Sequence, residues 1–167
     1  YKSVEDVPQR LDLVVVAVRA EKAPAIIDAC GRAGVKAAIL LSSGFSEAGP
    51  RGALLERQVM EAAHRHRIRL LGPNCLGIMR PQLGVNATFA HASALKGSIG
   101  LISQSGARCA AILDWAKPNN VGFSTVVSLG SSSDIDFGEV LEYMISDPRT
   151  ESIFLYVEGI RDARRFM

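Results

Sequence analysis

The sequence predicts an α/β fold built from parallel, doubly wound sheets. Short runs of β-branched residues alternate with amphipathic helical segments, and this alternation occurs twice, before and after a stretch rich in turn residues. Strands that alternate with helices at this spacing are typical of βαβ units in a parallel sheet. We therefore expect two α/β units within the 167 residues.

The first unit is expected to contain three strands and two helices. Its first strand, LDLVVVAV at residues 11–18, is a nearly continuous apolar run, as is typical of a strand buried on both faces of a parallel sheet. Helical spacing follows over residues 21–33, and a second strand, KAAILL, covers residues 36–41. A second amphipathic helix over residues 52–66 and a short strand over residues 68–71 complete the unit.

A second βα series is expected after residue 97. Between residues 80 and 97 the periodicity stops and Pro81, Gly84, Asn86 and Gly97 mark turns, which indicates an interdomain connection. We place the domain boundary between residues 94 and 95. The strands expected in the second series cover residues 98–102, 122–129 and 152–157, and its helices cover residues 107–115 and 137–145.

Both ends of the sequence are expected to be cut from a larger protein. The first unit enters a strand almost at once, without the glycine-rich βα turn that a nucleotide-binding half-fold places first. A three-stranded parallel sheet with open edges is seldom a complete domain. We therefore infer that neither expected sheet is complete within these 167 residues.

Composition narrows the classes of function. A hydrophobic content of 48% with 22% charged residues indicates a folded protein, and the net charge of only +2 gives no electrostatic footprint for nucleic acid. No apolar run is long enough to cross a bilayer, so we expect no membrane partner. The three cysteines, at positions 30, 75 and 109, have no metal-ligand spacing, so we expect no metal site and a reducing, cytoplasmic location.

The segment GLISQSGA at residues 100–107 is the sharpest local signal. A buried strand runs into a tight polar turn and a helix begins near Gly106, so free backbone N–H groups would face an anion. An ordinary strand-to-helix turn with a serine cap is an equally good interpretation of this motif alone. A hydrolase nucleophile is not favoured, because every histidine of the chain precedes Ser105, whereas that fold needs a histidine after its serine.

Three other positions at expected strand ends could carry chemistry. The loop GPNCLG at residues 72–77 follows the third strand, and the loop LSSGF at residues 41–45 follows the second. Ligands bind at such strand ends in doubly wound sheets. For Cys75 a small packed residue is preferred over a nucleophile, since no partner base is identifiable. Glu158 could orient an imidazole at the end of its strand, but a solvated acid paired with Arg161 is the better interpretation from local sequence.

Seven segments in chain order resemble the succinyl-CoA synthetase α-subunit and, more closely, the single-chain NDP-forming acetyl-CoA synthetases. They are DLVVVAV, GVKAAILLSSGF, RLLGPNCLG, NATFA, GLISQSGA, GFSTVVSLGSSSDIDF and LYVEGI, which together cover nearly the whole chain. The resemblance implies part of a Rossmann-like CoA-binding domain at residues 1–94. It implies part of a flavodoxin-like succinyl-CoA-ligase domain at residues 95–167.

The resemblance also implies a reaction and a set of site residues. Acyl-CoA and phosphate would form an acyl phosphate and then a phosphorylated histidine that charges ADP or GDP. Positions that would line the CoA site are Val18, Arg19, Leu41, Ser42 and Ser43, with Asn74 and Cys75 near the thioester end. The amides that would bind the phosphoryl group are those of Ser105, Gly106 and Ala107. Glu158 would orient the phosphorylated histidine, which the family places downstream of the last residue. Because the sequence lacks both that histidine and the family's glycine-rich CoA loop, we expect that these 167 residues alone do not turn over a substrate.

The resemblance implies partners as well. The nucleotide and Mg²⁺ are expected in an ATP-grasp domain or subunit not present in this chain, and a homo-oligomer is expected. A second hypothesis comes from bacterial protein lysine acetyltransferases, whose ligase-like region is similar to DWA, VVSLG and DF here. In that case the chain would be a non-catalytic CoA- or acetyl-CoA-sensing region beside a Gcn5-type domain. Ser131, which stands where many ligases have asparagine, favours this alternative.

Overall fold

Two sheets form the framework of the chain. The computed structural model describes residues 1–160 and 163–166. The strands are β1 (Leu13–Val16), β2 (Ala37–Leu40), β3 (Arg69–Leu71), β4 (Gly77–Arg80), β5 (Val85–Thr88), β6 (Leu95–Ser103), β7 (Gly122–Ser128) and β8 (Ser152–Tyr156). The helices are α1 (Ala23–Arg32), α2 (Pro50–His66), α3 (Gly106–Ala116), α4 (Phe137–Ser146) and α5 (Ala163–Phe166).

The first sheet has the predicted parallel order β1-β2-β3. Leu13 aligns with Ala37, and Ala37 in turn aligns with Arg69. Helices α1 and α2 cover one face because each presents an apolar stripe, with Ile27 and Val59 fully buried against the strands. The α/β prediction for the first unit is confirmed.

The second sheet is mixed, with the order β5-β4-β7-β6-β8. Strands β6, β7 and β8 run parallel, as predicted, whereas β4 pairs antiparallel with both β7 and β5. The expectation of purely parallel sheets is therefore wrong for this unit. The mixed sheet still has helices α3 and α4 packed on it, so the α/β class holds.

Residues 77–88 form a hairpin of the second sheet. The interpretation of residues 80–97 as an interdomain connection is therefore wrong over most of its length. Pro81 and Gly84, two of the four residues that suggested a linker, lie in the turn of this hairpin, where Gly84 adopts a left-handed conformation with φ of 67°. The other two, Asn86 and Gly97, lie in β5 and β6. The division of the chain between residues 94 and 95 stays a prediction.

One of three apolar clusters among the described residues joins the two sheets. Ile39 and Leu71 of the first sheet pack in the same cluster as Ile102 and Val127 of the second. The carboxyl ends of strands from both sheets consequently meet at one place. Within the described part of the chain, no helix combines the length and hydrophobicity needed to cross a bilayer.

Candidate functional site

A cleft of about 560 Å³ lies where four strand ends from the two sheets meet. It is lined by Leu41, Ser43, Asn74, Cys75, Leu76, Phe89, Gln104, Ser105, Gly106, Ala107, Ala110 and Glu158. These residues follow β2, β3, β6 and β8 or begin α3, apart from Phe89, which follows β5. Ligands of open α/β sheets bind at such carboxyl-terminal edges.

The turn after β6 presents free backbone amides to this cleft. Helix α3 begins at Gly106, and the N-cap Ser105 accepts a hydrogen bond from the Arg108 amide through its side chain. The Ser105 amide itself donates to Ser103 Oγ at 3.2 Å. Among the described residues, the amides of Gly106 and Ala107 have no protein acceptor, as is general for the first turn of a helix. The turn is thus both serine-capped and able to bind an anion.

Glu158 follows the end of β8 and borders the same cleft as this turn. Its side chain is exposed and lines the cleft together with Ser105 and Gly106. The Gln104 side chain accepts hydrogen bonds from the amides of Glu158 and Gly159, at 2.6 and 2.9 Å. Arg161, the partner suggested for Glu158 by the sequence, lies outside the described residues.

A second groove of about 500 Å³ adjoins the cleft on the side of the first sheet. It is lined by Ala17, Val18, Arg19, Leu41, Ser42, Ser43 and Phe89. Ser42 connects the loops of this groove, because its Oγ accepts the Val18 amide at 3.0 Å and its carbonyl oxygen accepts the Asn74 amide at 2.9 Å. Leu41, Ser43 and Phe89 line both cavities, so groove and cleft form one continuous surface.

Cys75 is a packed residue of the cleft wall. It is only 2% exposed, and its Sγ–H group donates to the Leu40 carbonyl oxygen at 3.4 Å. Burial raises the pKa of the Cys75 thiol to about 12. A thiol with this pKa is protonated at neutral pH, which supports the packing interpretation over the nucleophile. The neighbouring Asn74 is exposed in a left-handed conformation with φ of 56°, which asparagine tolerates.

The loop at residues 130–134, between β7 and α4, is hydrogen-bonded to the loop at residues 72–75. The Ser131 amide donates to the Pro73 carbonyl oxygen at 2.9 Å, and the Ser133 amide donates to that of Gly72 at 3.1 Å. Close approach is possible because residue 130 is glycine: a Cβ there would lie 2.1 Å from the Pro73 oxygen. The loop of Asn74 and Cys75 is therefore fixed by the second unit.

The structure brings all the sequence-predicted site residues to this surface. Val18, Arg19 and Ser42 lie in the groove, Leu41 and Ser43 line both cavities, and the remaining predicted residues lie in the cleft. Sequence reasoning did not assign Gln104 or Phe89 to the site. Gln104 stands within the GLISQSGA motif, which could have signalled it. Phe89, 64% exposed, stands in a segment interpreted as a connection.

No group of three or more His, Cys, Asp or Glu side chains among residues 1–160 and 163–166 could bind a metal ion.

The fold and the cleft define an α/β ligand-binding protein whose site combines an anion-binding turn with a groove from a second sheet. Comparisons with known proteins agree with this class. Residues 1–81 match a family model described as a CoA binding domain. Residues 96–167 match one described as a succinyl-CoA ligase like flavodoxin domain.

Two curated relatives match the chain over its full length. ADP-forming acetate–CoA ligase I of Archaeoglobus fulgidus is 45% identical over 167 residues, all of this chain and 24% of the relative. The α-subunit of ADP-forming acetate–CoA ligase I of Pyrococcus furiosus is 41% identical over the same length, which is 36% of that protein. The chain thus spans about a quarter to a third of the length of these relatives.

A solved structure supports the same assignment. The dinucleotide-forming acetyl-coenzyme A synthetase 1 of Ca. Korarchaeum cryptofilum, in complex with phosphate and ADP, superposes with a TM-score of 0.93 and 39% identity. The match covers 98% of this chain and 35% of that one. The chain contains a CoA-binding domain and a succinyl-CoA-ligase-like domain, and over its whole length it is similar to ADP-forming acetate–CoA ligases.

Proposed function

We propose that this chain is the CoA- and acyl-CoA-binding portion of an NDP-forming acyl-CoA ligase. The reaction converts acyl-CoA, phosphate and NDP to acid, CoA and NTP. The observation that carries the proposal is the continuous surface formed by the groove, the loop of Asn74 and Cys75, and the amides of Gly106 and Ala107. A thioester and a phosphate bound there would lie next to each other, as acyl transfer between them requires.

Each part of the surface has a role in this proposal. CoA lies along the groove, with Arg19 next to its phosphates and its thioester beside Asn74. Phosphate attacks the thioester carbonyl, forming acyl phosphate and releasing CoA as the C–S bond breaks. Transfer of the phosphoryl group to a histidine then frees the acid. The amides of Gly106 and Ala107 stabilise the negative charge of the transferred group.

Glu158 would accept a hydrogen bond from the histidine that receives the phosphoryl group. A carboxylate at this position orients the ring and stabilises the imidazolium form that follows attack. Its place opposite the anion-binding turn supports this role, because both groups line one cleft. His64 and His66 lie in α2 and His91 follows β5, and none of the three lines the cleft. The receiving histidine is therefore expected outside this chain.

The partners follow from the same proposal. We propose an ATP-grasp domain or subunit that binds ADP or GDP with Mg²⁺, since one similar protein is an α-subunit and another structure holds ADP. We also propose a cytoplasmic location, which the three free, buried cysteines support. The homo-oligomer stays a prediction. The acetyltransferase hypothesis with its Gcn5-type partner has no support here, because the relatives described above are ligases and a synthetase.

Titration of the intact protein with CoA by calorimetry tests the binding part of the proposal. We expect a saturable heat with a 1:1 stoichiometry. The matched control is dephospho-CoA, which keeps the thiol arm and loses one phosphate, so its affinity reports contacts on the groove side. No heat at millimolar CoA, together with no protection from thermal unfolding, would reject the proposed function.

Substitution at Gly106 tests the phosphoryl part. A Cβ at this position would lie 3.6 Å from the Leu76 amide nitrogen and 3.8 Å from its Cβ, which are ordinary contacts. Gly106→Ala should therefore keep most phosphorylation, whereas the larger side chain of Gly106→Leu would extend into the cleft beside Leu76. We expect acyl-CoA- and phosphate-dependent labelling of the intact protein to fall at least about 100-fold in Gly106→Leu. Equal labelling of the two variants would contradict the assignment of this turn.

A further inference from the structure

We propose that Gln104 is a positioning residue that fixes Glu158 opposite the anion-binding turn. The inference deepens the proposed function and rests on it, since the reaction gives Glu158 its role. Gln104 occupies the one position between the end of β6 and the N-cap Ser105. A group that is hydrogen-bonded to the Gln104 side chain is therefore held at a fixed position relative to the first amides of α3.

The side chain of Gln104 makes three hydrogen bonds to the chain after β8. Its Oε1 accepts from the amides of Glu158 and Gly159 at 2.6 and 2.9 Å, and its Nε2 donates to the Gly159 carbonyl oxygen at 2.9 Å. The backbone amide of Gln104 also donates to the Tyr156 carbonyl oxygen at 3.1 Å, which extends the β6–β8 pairing by one residue. One residue thus contacts the chain on both sides of Val157.

The segment that Gln104 holds has little other support. Residues 157–160 are all exposed, and the hydrogen bonds that the structure shows for Glu158 and Gly159 are those with Gln104. An exposed segment with few buried contacts opens locally at low cost. The side-chain carboxamide of Gln104 therefore restricts the position of Glu158, which is not fixed by packing. Glutamine suits the task because one planar group supplies both an acceptor and a donor.

This arrangement links the two groups that act on the phosphoryl group. The amides of Gly106 and Ala107 hold it, and Glu158 orients the histidine that receives it. The distance between Glu158 and these amides is set through Gln104. Its side chain makes the three hydrogen bonds, and α3 begins only two residues after it, at Gly106. A displacement of about 1 Å in a reacting group can reduce a rate by about 100-fold.

The test compares Gln104→Met with Gln82→Met in the intact protein. Methionine keeps the length of the side chain and removes its hydrogen bonds. Gln82 is a matched control because its Nε2 donates to two carbonyl oxygens, those of Gly97 and Phe123, at 2.6 and 3.3 Å, and it does not line the cleft. We measure turnover of acetyl-CoA with phosphate and ADP, and hydrogen exchange of the peptide that contains Glu158 and Gly159.

For Gln104→Met we expect kcat to fall at least about tenfold, with a KM for acetyl-CoA within about twofold of wild type. Exchange of the Glu158 and Gly159 amides should accelerate at least about tenfold, while Gln82→Met changes neither kcat nor exchange at this peptide. Unchanged exchange in Gln104→Met, or equal loss of kcat in both variants, would overturn the inference. A wild-type protein without turnover would reject the proposed function instead, and the exchange rates would still decide whether Gln104 holds Glu158.

Discussion

The loop at residues 72–75 and the segment at residues 157–160 border the same cleft but are held in different ways. Gly72, Pro73 and Cys75 are buried, and the second unit grips their backbone through Ser131 and Ser133. The segment at residues 157–160 is exposed, and one side chain supplies the hydrogen bonds of Glu158 and Gly159.

This difference indicates which parts of the cleft are fixed and which can adjust. Buried loops held by several elements open only with the structure around them, whereas exposed segments open locally. The thioester side should therefore be rigid and its mutations should cost stability. On the Glu158 side, mutations should leave the free energy of unfolding nearly unchanged and lower the reaction rate. Under the proposed function, this side of the cleft admits a histidine from outside the chain.

The largest effect is expected for Gly130→Ala. Gly130 has φ of 58°, and a Cβ would lie 2.1 Å from the Pro73 oxygen. The loop at residues 130–134 could then not keep its hydrogen bonds to Gly72 and Pro73. We expect the free energy of unfolding to fall by about 3–5 kcal/mol in urea denaturation of the intact protein. Gly84→Ala is the control: φ is 67° but nothing lies within 4 Å of the added Cβ, so only about 1–2 kcal/mol of backbone strain is expected. Similar losses in both variants would show that the contacts between residues 130–134 and 72–75 contribute nothing to stability.

A smaller loss is expected for Asp134→Ala. The Asp134 carboxylate accepts from the Leu70 amide at 2.7 Å and from two nitrogens of Arg69 at 3.1 Å, and so joins β3 to the second unit. Hydrogen bonds from Arg69 to Glu139 and to Asp134 raise the pKa of Arg69 above its ordinary value. We expect the free energy of unfolding to fall by about 1–3 kcal/mol, because the Leu70 amide loses its acceptor. Asp12→Ala removes an exposed ion pair with Arg10 and should change little; an equal loss there would contradict this account.

A still smaller effect, on binding alone, is expected for Arg19→Ala. Arg19 is exposed at the groove, where it would contact the CoA phosphates. We expect the Kd for CoA to rise about three- to tenfold at low salt, and the difference from wild type to shrink as salt increases. Arg10→Ala, a cation outside the groove, is the control. Equal changes in Kd for the two variants would remove Arg19 from the site.

No reaction of native Cys75 with a thiol reagent is expected. Because burial raises the pKa of Cys75 and of Cys109 to about 12, neither thiol should react with iodoacetamide at pH 8 until the protein is denatured. Burial of neutral thiols favours the folded state fully below pH 9. This contribution is lost as the pH rises from about 9 to about 12, since the unfolded thiols ionise first. Rapid labelling of native Cys75, with loss of activity, would restore the nucleophile hypothesis.

Much of this site could be predicted from the sequence. The parallel strands were signalled by β-branched runs, and the turn at Ser105–Ala107 by the polar motif between a strand and a helix. The hairpin at residues 77–88 was missed because Pro81 and Gly84 indicate a turn without indicating which strand pairs on either side. The hydrogen bond between the Gln104 side chain and the Glu158 amide was missed because 54 residues separate the two residues in sequence. Only the pairing of β6 with β8 makes them neighbours.

The claim that the CoA groove and the phosphate turn form one site has a direct test. Hydrogen exchange of the intact protein should be measured with CoA alone, with phosphate alone and with both ligands. The account predicts protection of residues 41–43 and 72–76 by CoA, protection of residues 104–107 by phosphate, and stronger protection of both regions when the ligands are combined. Protection by CoA that leaves these loops unchanged, or protection by phosphate elsewhere, would contradict it.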